Sequence, residues 1–166
     1  MKTLITYATK YGAAEVCARK LSDELTCDTD LVNLKNAKNI NPDEYDIIII
    51  GSSVYAGKIR KEARKFCEEN IGALEKKQIA FYISCMNEEK KAEKHIYDNF
   101  SAELLDDAIA TGVFGGAFDF EKMNFFERLI IRMISGTKDS ESNFLEDNIE
   151  EFANKINEEK FGWLSE

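Results

Sequence analysis

The chain has 166 residues, 44% hydrophobic and 32% charged, which suits one globular domain (1–166) able to bury a continuous core. Its formal net charge of −9 disfavours nucleic acid as a partner, since phosphate backbones are held by basic surfaces; solubility or a basic protein partner fits better. No apolar run has the length of a membrane span, and the short, β-like start Met1–Tyr7 is unlike a signal peptide, so the expected location is cytoplasmic.

Apolar runs alternate with amphipathic stretches, the pattern of a parallel sheet with crossover helices. A first strand is predicted at Thr3–Tyr7, followed by a helix with its apolar stripe at Ala14, Cys17, Leu21 and Leu25. A second strand covers Thr29–Leu34. The third, Asp46–Gly51, carries four consecutive isoleucines, as expected of a central strand covered on both faces. Ile59, Ala63, Phe66 and Cys67 mark the next helix and Gln78–Ser84 the fourth strand. Ile96, Phe100 and Leu104 support a further helix, Ile109–Phe114 a fifth strand, and Leu145, Ile149, Phe152, Ala153 and Ile156 a last helix. An additional segment, Asp119–Ser135, lies between them.

The four cysteines (Cys17, Cys27, Cys67, Cys85) form no C-x-x-C pair and read as free thiols. His95 is the only histidine, so a histidine-rich metal site is excluded, and no nucleophile elbow accompanies it.

In an open parallel sheet, ligands bind beyond the carboxyl ends of the strands. After strand one, Thr9, Lys10, Tyr11, Gly12, Ala13 and Ala14 lead directly into a helix. A hydroxyl, small residues and free amides at a helix start can hold a phosphate; a plain turn with Thr9 as N-cap is the alternative. The loop is neither G-x-G-x-x-G nor a Walker sequence, which disfavours dinucleotides and nucleoside triphosphates. After strand three, Ser53, Val54, Tyr55, Ala56 and Gly57 surround one aromatic with small residues. That set can receive a flat ring and its polar edge, or Tyr55 can simply cover the sheet end. Ser84, Cys85, Met86 and Asn87 follow strand four, and Gly115 and Gly116 follow strand five. Small residues there allow a close ligand approach or a tight turn.

Taken together, Ile5–Glu15, Gly51–Gly57 and Ser84–Asn87 resemble the three flavin loops of the flavodoxin-like superfamily. Within it the chain resembles in particular the menaquinone-dependent protoporphyrinogen oxidases. The shared features are Met1–Ile5, Gly51-x-Ser53 with Tyr55 and Gly57, Phe81-Tyr82, Gly115 or Gly116 before Ala117, Phe126-Glu127-Arg128 and Met133-x-Ser135-Gly136. The resemblance implies a three-layer α/β fold with a five-stranded parallel sheet in the order 2-1-3-4-5, helices on both faces and an extra helical segment after strand five. It also implies bound FMN, with the phosphate at Thr9–Ala14, the ring edge at Ser53–Gly57 and Ser84–Asn87, and Tyr55 stacked on the ring. Ala14 stands where the family's phosphate loop has Ser or Thr, so one hydroxyl contact is missing; backbone donors and Lys10 could compensate. Asp119 and Glu121 make the segment after strand five less basic than in the oxidases.

The implied functions are an FMN oxidoreductase acting on a porphyrinogen or quinone, an acidic electron carrier to a partner protein, or an interaction module that has lost flavin. In the extra segment, Met123, Phe126, Leu129, Ile130, Met133 and Ile134 share one helical face, with Phe125 and Ile131 flanking and Arg128 and Arg132 opposite. A one-sided stripe predicts a core-covering helix. So wide an apolar arc also suits a docking surface for a second subunit, a partner or a membrane edge through the 123–134 helix.

Overall fold

The computed structural model describes residues 1–87, 89–119, 121–135 and 140–162. In chain order the elements are β1 (Lys2–Ala8), α1 (Ala13–Glu24), β2 (Asp28–Asn33), a 3-10 turn at Pro42–Glu44, β3 (Ile47–Tyr55), β4 (Lys58–Ile59) and α2 (Lys61–Leu74). There follow β5 (Gln78–Ser84), α3 (Glu89–Asn99), α4 (Ala102–Asp106), β6 (Ala108–Val113), β7 (Gly115–Phe118), α5 (Phe125–Ser135), β8 (Glu141–Phe144) and α6 (Glu146–Gly162).

The isoleucine run explains the layering. Successive strand residues point to opposite faces, so Ile48 and Ile50 enter one apolar cluster and Ile47 and Ile49 the other. The first cluster closes against Ala63, Phe66 and Leu74 of α2 and Ala92 and Ile96 of α3. The second closes against Ala14, Cys17, Ala18 and Leu21 of α1 and Ile149, Phe152, Ala153 and Ile156 of α6. All four isoleucines are fully buried, as a strand sandwiched between helical layers must be.

The parallel strands run in the order β2-β1-β3-β5-β6, the 2-1-3-4-5 arrangement expected once the short β4 is set aside. From β1 the chain goes outward to β2 on one side and returns to β3 on the other, so the strand order reverses between β1 and β3. That places a crevice at their carboxyl ends.

Four local features differ from expectation. Strand three does not end at Gly51: it continues to Tyr55 and folds back, with β4 pairing antiparallel to it. The helix expected through Ile96, Phe100 and Leu104 is broken at Phe100 and Ser101 into α3 and α4, which lets all three side chains reach the same cluster. Gly115 and Gly116 lie in a strand, β7, paired antiparallel with β8. Finally, α5 does not cover the core. Met123, just before it, is buried, but Phe125 is 74%, Phe126 73% and Met133 79% exposed, with Leu129 and Ile130 exposed too. Arg128, expected opposite the apolar face, folds back to donate to the Met123 carbonyl at 3.0 Å. The side chains of Phe118, Ile131, Ile134 and Ser135, and Gly136 altogether, lie outside the described residues. Among the described residues no helix is long and apolar enough to cross a membrane.

Gly51 is required by close approach. A Cβ there would lie 1.9 Å from Cζ of Tyr82. The Tyr82 ring is fully buried, stacks on Phe114 at 4.7 Å, and its hydroxyl donates to the Ala14 carbonyl at 2.9 Å. The centre of the sheet thus holds the first turn of α1, which carries the loop after β1.

Candidate functional site

At the carboxyl ends of β1, β3 and β5 a cleft of about 270 Å³ opens, near the lower end of small-molecule sites. Thr9, Lys10, Tyr11 and Ala13 line it from the loop after β1. Ser53, Val54, Tyr55, Ala56 and Gly57 line it from the β3–β4 hairpin, and Ser84, Cys85, Met86 and Asn87 from the end of β5. Gly116 completes the set of expected residues found at its wall.

Gly12, Ala14 and Gly115 are not wall residues. Gly12 is the N-cap of α1 with φ of 98°, a backbone state that glycine adopts without penalty, and it shapes the turn. Its amide donates to Thr9 Oγ1 at 2.9 Å, so Thr9 braces the loop and is not the N-cap. Ala14 is fully buried beneath the first turn of α1, where its carbonyl receives Tyr82. Gly115 packs on the Asn143 backbone, and its carbonyl accepts from the Cys85 amide at 2.8 Å, tying β7 to the loop after β5.

Three further residues, His95, Ala117 and Met123, also line the cleft. His95 comes from α3, one turn before Asn99; Met123 precedes α5 and is 5% exposed. The uniqueness of His95 was visible in the sequence, but its place required the α3 register. Met123 sat at one end of the apolar stripe, with nothing to separate it from its neighbours.

The cleft carries unsatisfied polar groups. The hydroxyls of Ser53 and Ser84 are buried without a partner in hydrogen-bond geometry, Ser84 only 3% exposed, while the buried Tyr11 hydroxyl, also outside that geometry, interacts with the Glu127 carboxylate. A buried hydroxyl without a partner is costly, and such groups are rare in folded proteins unless a ligand or water meets them. Beneath Ser84 lies the Cys17 thiol, pushed up to about 12 chiefly by burial. The amides at the start of α1 have no intrahelical partners, which gives this end of the cleft a positive potential.

Lys10 does not point its charge at that helix start. Its Nζ pairs with the Glu127 carboxylate of α5 and lies 4.5 Å over the Tyr55 ring and 5.0 Å over Tyr11. Burial works against the Lys10 charge, but Glu127 and Tyr11 outweigh it and its pKa is raised. Lys10, followed by the Tyr11 hydroxyl, holds Glu127 down at about 2. The Tyr11 phenol is pushed up, mainly by burial and then by the neighbouring carboxylate. The idea that Lys10 replaces the hydroxyl missing at Ala14 is therefore not met by this geometry: the ammonium is engaged elsewhere, on the face of the ring expected to stack.

The profile of the flavodoxin domain matches residues 4–144. The chain belongs to the flavodoxin domain family. Among relatives, protoporphyrinogen IX dehydrogenase [quinone] of Escherichia coli (strain K12) is 24% identical over 168 residues, covering 93% of this chain and 92% of that protein. The Leishmania major protein of the same name is 24% identical over 142 residues, 80% of this chain, and the match spans only 62% of its length. Among solved structures, a Lactobacillus acidophilus flavoprotein in complex with FMN superposes with a TM-score of 0.53 at 18% identity, covering 68% of this chain and 92% of that one. The flavodoxin fold accounts for the position of the cleft at the β1/β3 reversal, and its family membership makes this a flavin-binding fold with a redox role.

Proposed function

We propose that the cleft binds FMN and that the protein is an FMN-dependent oxidoreductase of the protoporphyrinogen dehydrogenase type. The observation that carries the FMN reading is the pair of buried hydroxyls, Ser53 and Ser84, that line one cleft from two strand ends and meet no partner in hydrogen-bond geometry. A ligand with a polar ring edge and a phosphate supplies partners for such groups. The FMN bound by the Lactobacillus acidophilus flavoprotein of the same fold supports the choice of cofactor.

In this reading the phosphate lies at the start of α1, met by Thr9, by Ala13 and by backbone amides that Gly12 and Ala14 hold in place. The hairpin residues Ser53–Gly57 and the strand end Ser84–Asn87 meet the ring edge, with Gly116 leaving room beside Ser84. Tyr55 offers its ring for stacking once Lys10 moves off that face. When bound, FMN supplies the one- and two-electron chemistry, and the chain binds it, orients it and excludes water.

The enzyme reading is supported by the similarity to protoporphyrinogen IX dehydrogenases along most of the chain and by the apolar α5 beside the cleft. That helix suits an apolar acceptor such as a quinone, a second subunit or a peripheral membrane contact. The acidic charge of −9 favours a second reading, an electron carrier docking on a basic protein. Anaerobic stopped-flow separates the two. Rapid reoxidation of the reduced protein by a menaquinone analogue, with porphyrinogen as reductant in turnover, supports the enzyme. Reoxidation by one-electron acceptor proteins alone supports the carrier and contradicts the first reading.

A further inference from the structure

Tyr55 and Lys58 pair across a two-residue loop, Ala56–Gly57, whose φ angles are 48° and 74°. Positive φ at both central residues marks a type I′ turn. Ala56 is thus a non-glycine residue in the left-handed region, and it lies on the wall of the cleft. Asn99, at the end of α3, fixes the turn from behind. Its Nδ2 donates to the Gly57 carbonyl at 3.0 Å and to the His95 carbonyl at 2.8 Å. Its Oδ1 accepts from the Ile59 amide at 3.2 Å. With the Gly57 carbonyl held, rotation is left to the peptide between Ala56 and Gly57.

Turning that peptide over converts a type I′ turn into type II′. Type II′ places its first central residue at φ near +60° and ψ near −120°, the mirror of type II, where glycine is the residue found. At Ala56 the Cβ opposes that state. The chemistry of a flavin edge makes this matter: N5 accepts a hydrogen bond when oxidised and carries a hydrogen when reduced. A facing peptide can follow the change only by exchanging its N–H for its carbonyl.

Building on the FMN reading above, we infer that Ala56, backed by Asn99, locks the turn in one peptide orientation, so that this protein exchanges electrons in pairs. The turn then gives no extra support to the one-electron-reduced level. The overall exchange balances as a donor losing two electrons and two protons and a quinone gaining both to become the quinol.

Two substitutions in the full-length, FMN-reconstituted protein test the lock. Ala56→Gly removes the Cβ that opposes type II′. Ala56→Asn keeps the lock, because Asn-Gly is a favoured type I′ pair. The measurement is the separation of the two one-electron midpoint potentials by spectroelectrochemistry, with FMN affinity recorded alongside. Wild type and Ala56→Asn are expected to give overlapping couples with a two-electron slope. In Ala56→Gly the first couple should rise against the second by at least tenfold in its equilibrium constant, about 59 mV for one electron. Equal separations in all three proteins, or widely separated couples in wild type, overturn the lock while leaving FMN binding intact. Failure of the wild type to bind FMN overturns both readings.

Discussion

The loops after β1, β3 and β5 and the insert that carries β7, α5 and β8 meet at the same cleft, yet their apolar residues are used differently. Behind the loops, packed side chains fix the frame: Tyr82 fills the space that Gly51 leaves and reaches the Ala14 carbonyl, and Asn99 holds the hairpin turn. In the insert Met123 is buried and Phe144 packs on the core, while Phe125, Phe126, Leu129, Ile130 and Met133 face outward. The two regions are joined by the Lys10–Glu127 pair and by the Cys85 amide, which donates to the Gly115 carbonyl. The contrast teaches that the site's frame is set by core packing, and its rim by one ion pair and an uncovered helix.

The largest effect that would sharpen this contrast belongs to the frame. Gly51→Ala forces a Cβ into the Tyr82 ring, which has no free space to enter. Overpacking of that kind should cost about 3 kcal/mol and lower the melting temperature by about 10 °C, as read by calorimetry. An unchanged melting temperature would show that the Tyr82 stack is adaptable and does not hold α1.

The wall should respond in the opposite sense. Ser84→Ala and Ser53→Ala each remove a hydroxyl that meets no partner in hydrogen-bond geometry, so the apoprotein should keep its stability within about 0.5 kcal/mol. FMN affinity should fall by about 1 kcal/mol, roughly fivefold in Kd, for each substitution. Isothermal titration reads the affinity and denaturant unfolding of the apoprotein the stability; lost apoprotein stability with unchanged Kd would assign these hydroxyls to the frame.

The joint between the regions is pH-dependent. The Glu127 carboxyl is depressed from 4.5 to about 2 in the folded protein, so its pairing contributes fully above about pH 4.5 and is lost as pH falls toward 2. The contribution is small, under about 1 kcal/mol, because the pair is partly solvated. Protection factors of α5 amides, which take out the intrinsic pH dependence of exchange, should fall over that window in wild type. In Glu127→Gln they should already be low at neutral pH, with no such acid step. Protection factors that stay constant over that window in wild type would detach α5 from Lys10.

The smallest effect is expected on the outer face of α5. Replacing Phe125, Phe126 and Met133 together by serine should change denaturant stability by less than about 0.5 kcal/mol, since all three are mostly exposed. A loss of several kcal/mol would mean that the face is packed in solution, and the two regions would no longer differ.

The sequence made the frame legible because its signals are local. Ile47–Ile50 can only be a strand covered on both sides, and the loop starting at Thr9 runs straight into the apolar stripe of α1. The β3–β4 hairpin was hidden because Ala-Gly is a weak turn signal and β4 is two residues long. β7 was missed because Gly115 and Gly116 look like a turn, and their strand exists only through its partner β8. The stripe on α5 gave the helix and its apolar face; which way that face turns depends on tertiary contacts that periodicity does not encode. His95 and Met123 reach the cleft through the docking of α3 and of the segment before α5, information that no local pattern contains.

The central claim, that the cleft formed by Tyr11, Ser53, Ser84 and the start of α1 holds FMN, is tested most directly by titrating purified apoprotein with FMN and following flavin fluorescence. The account predicts saturable quenching at one FMN per chain, weakened in Ser84→Ala, with flavin absorption bands that stay with the protein through gel filtration. No quenching and no retained flavin, with the protein folded, would contradict it.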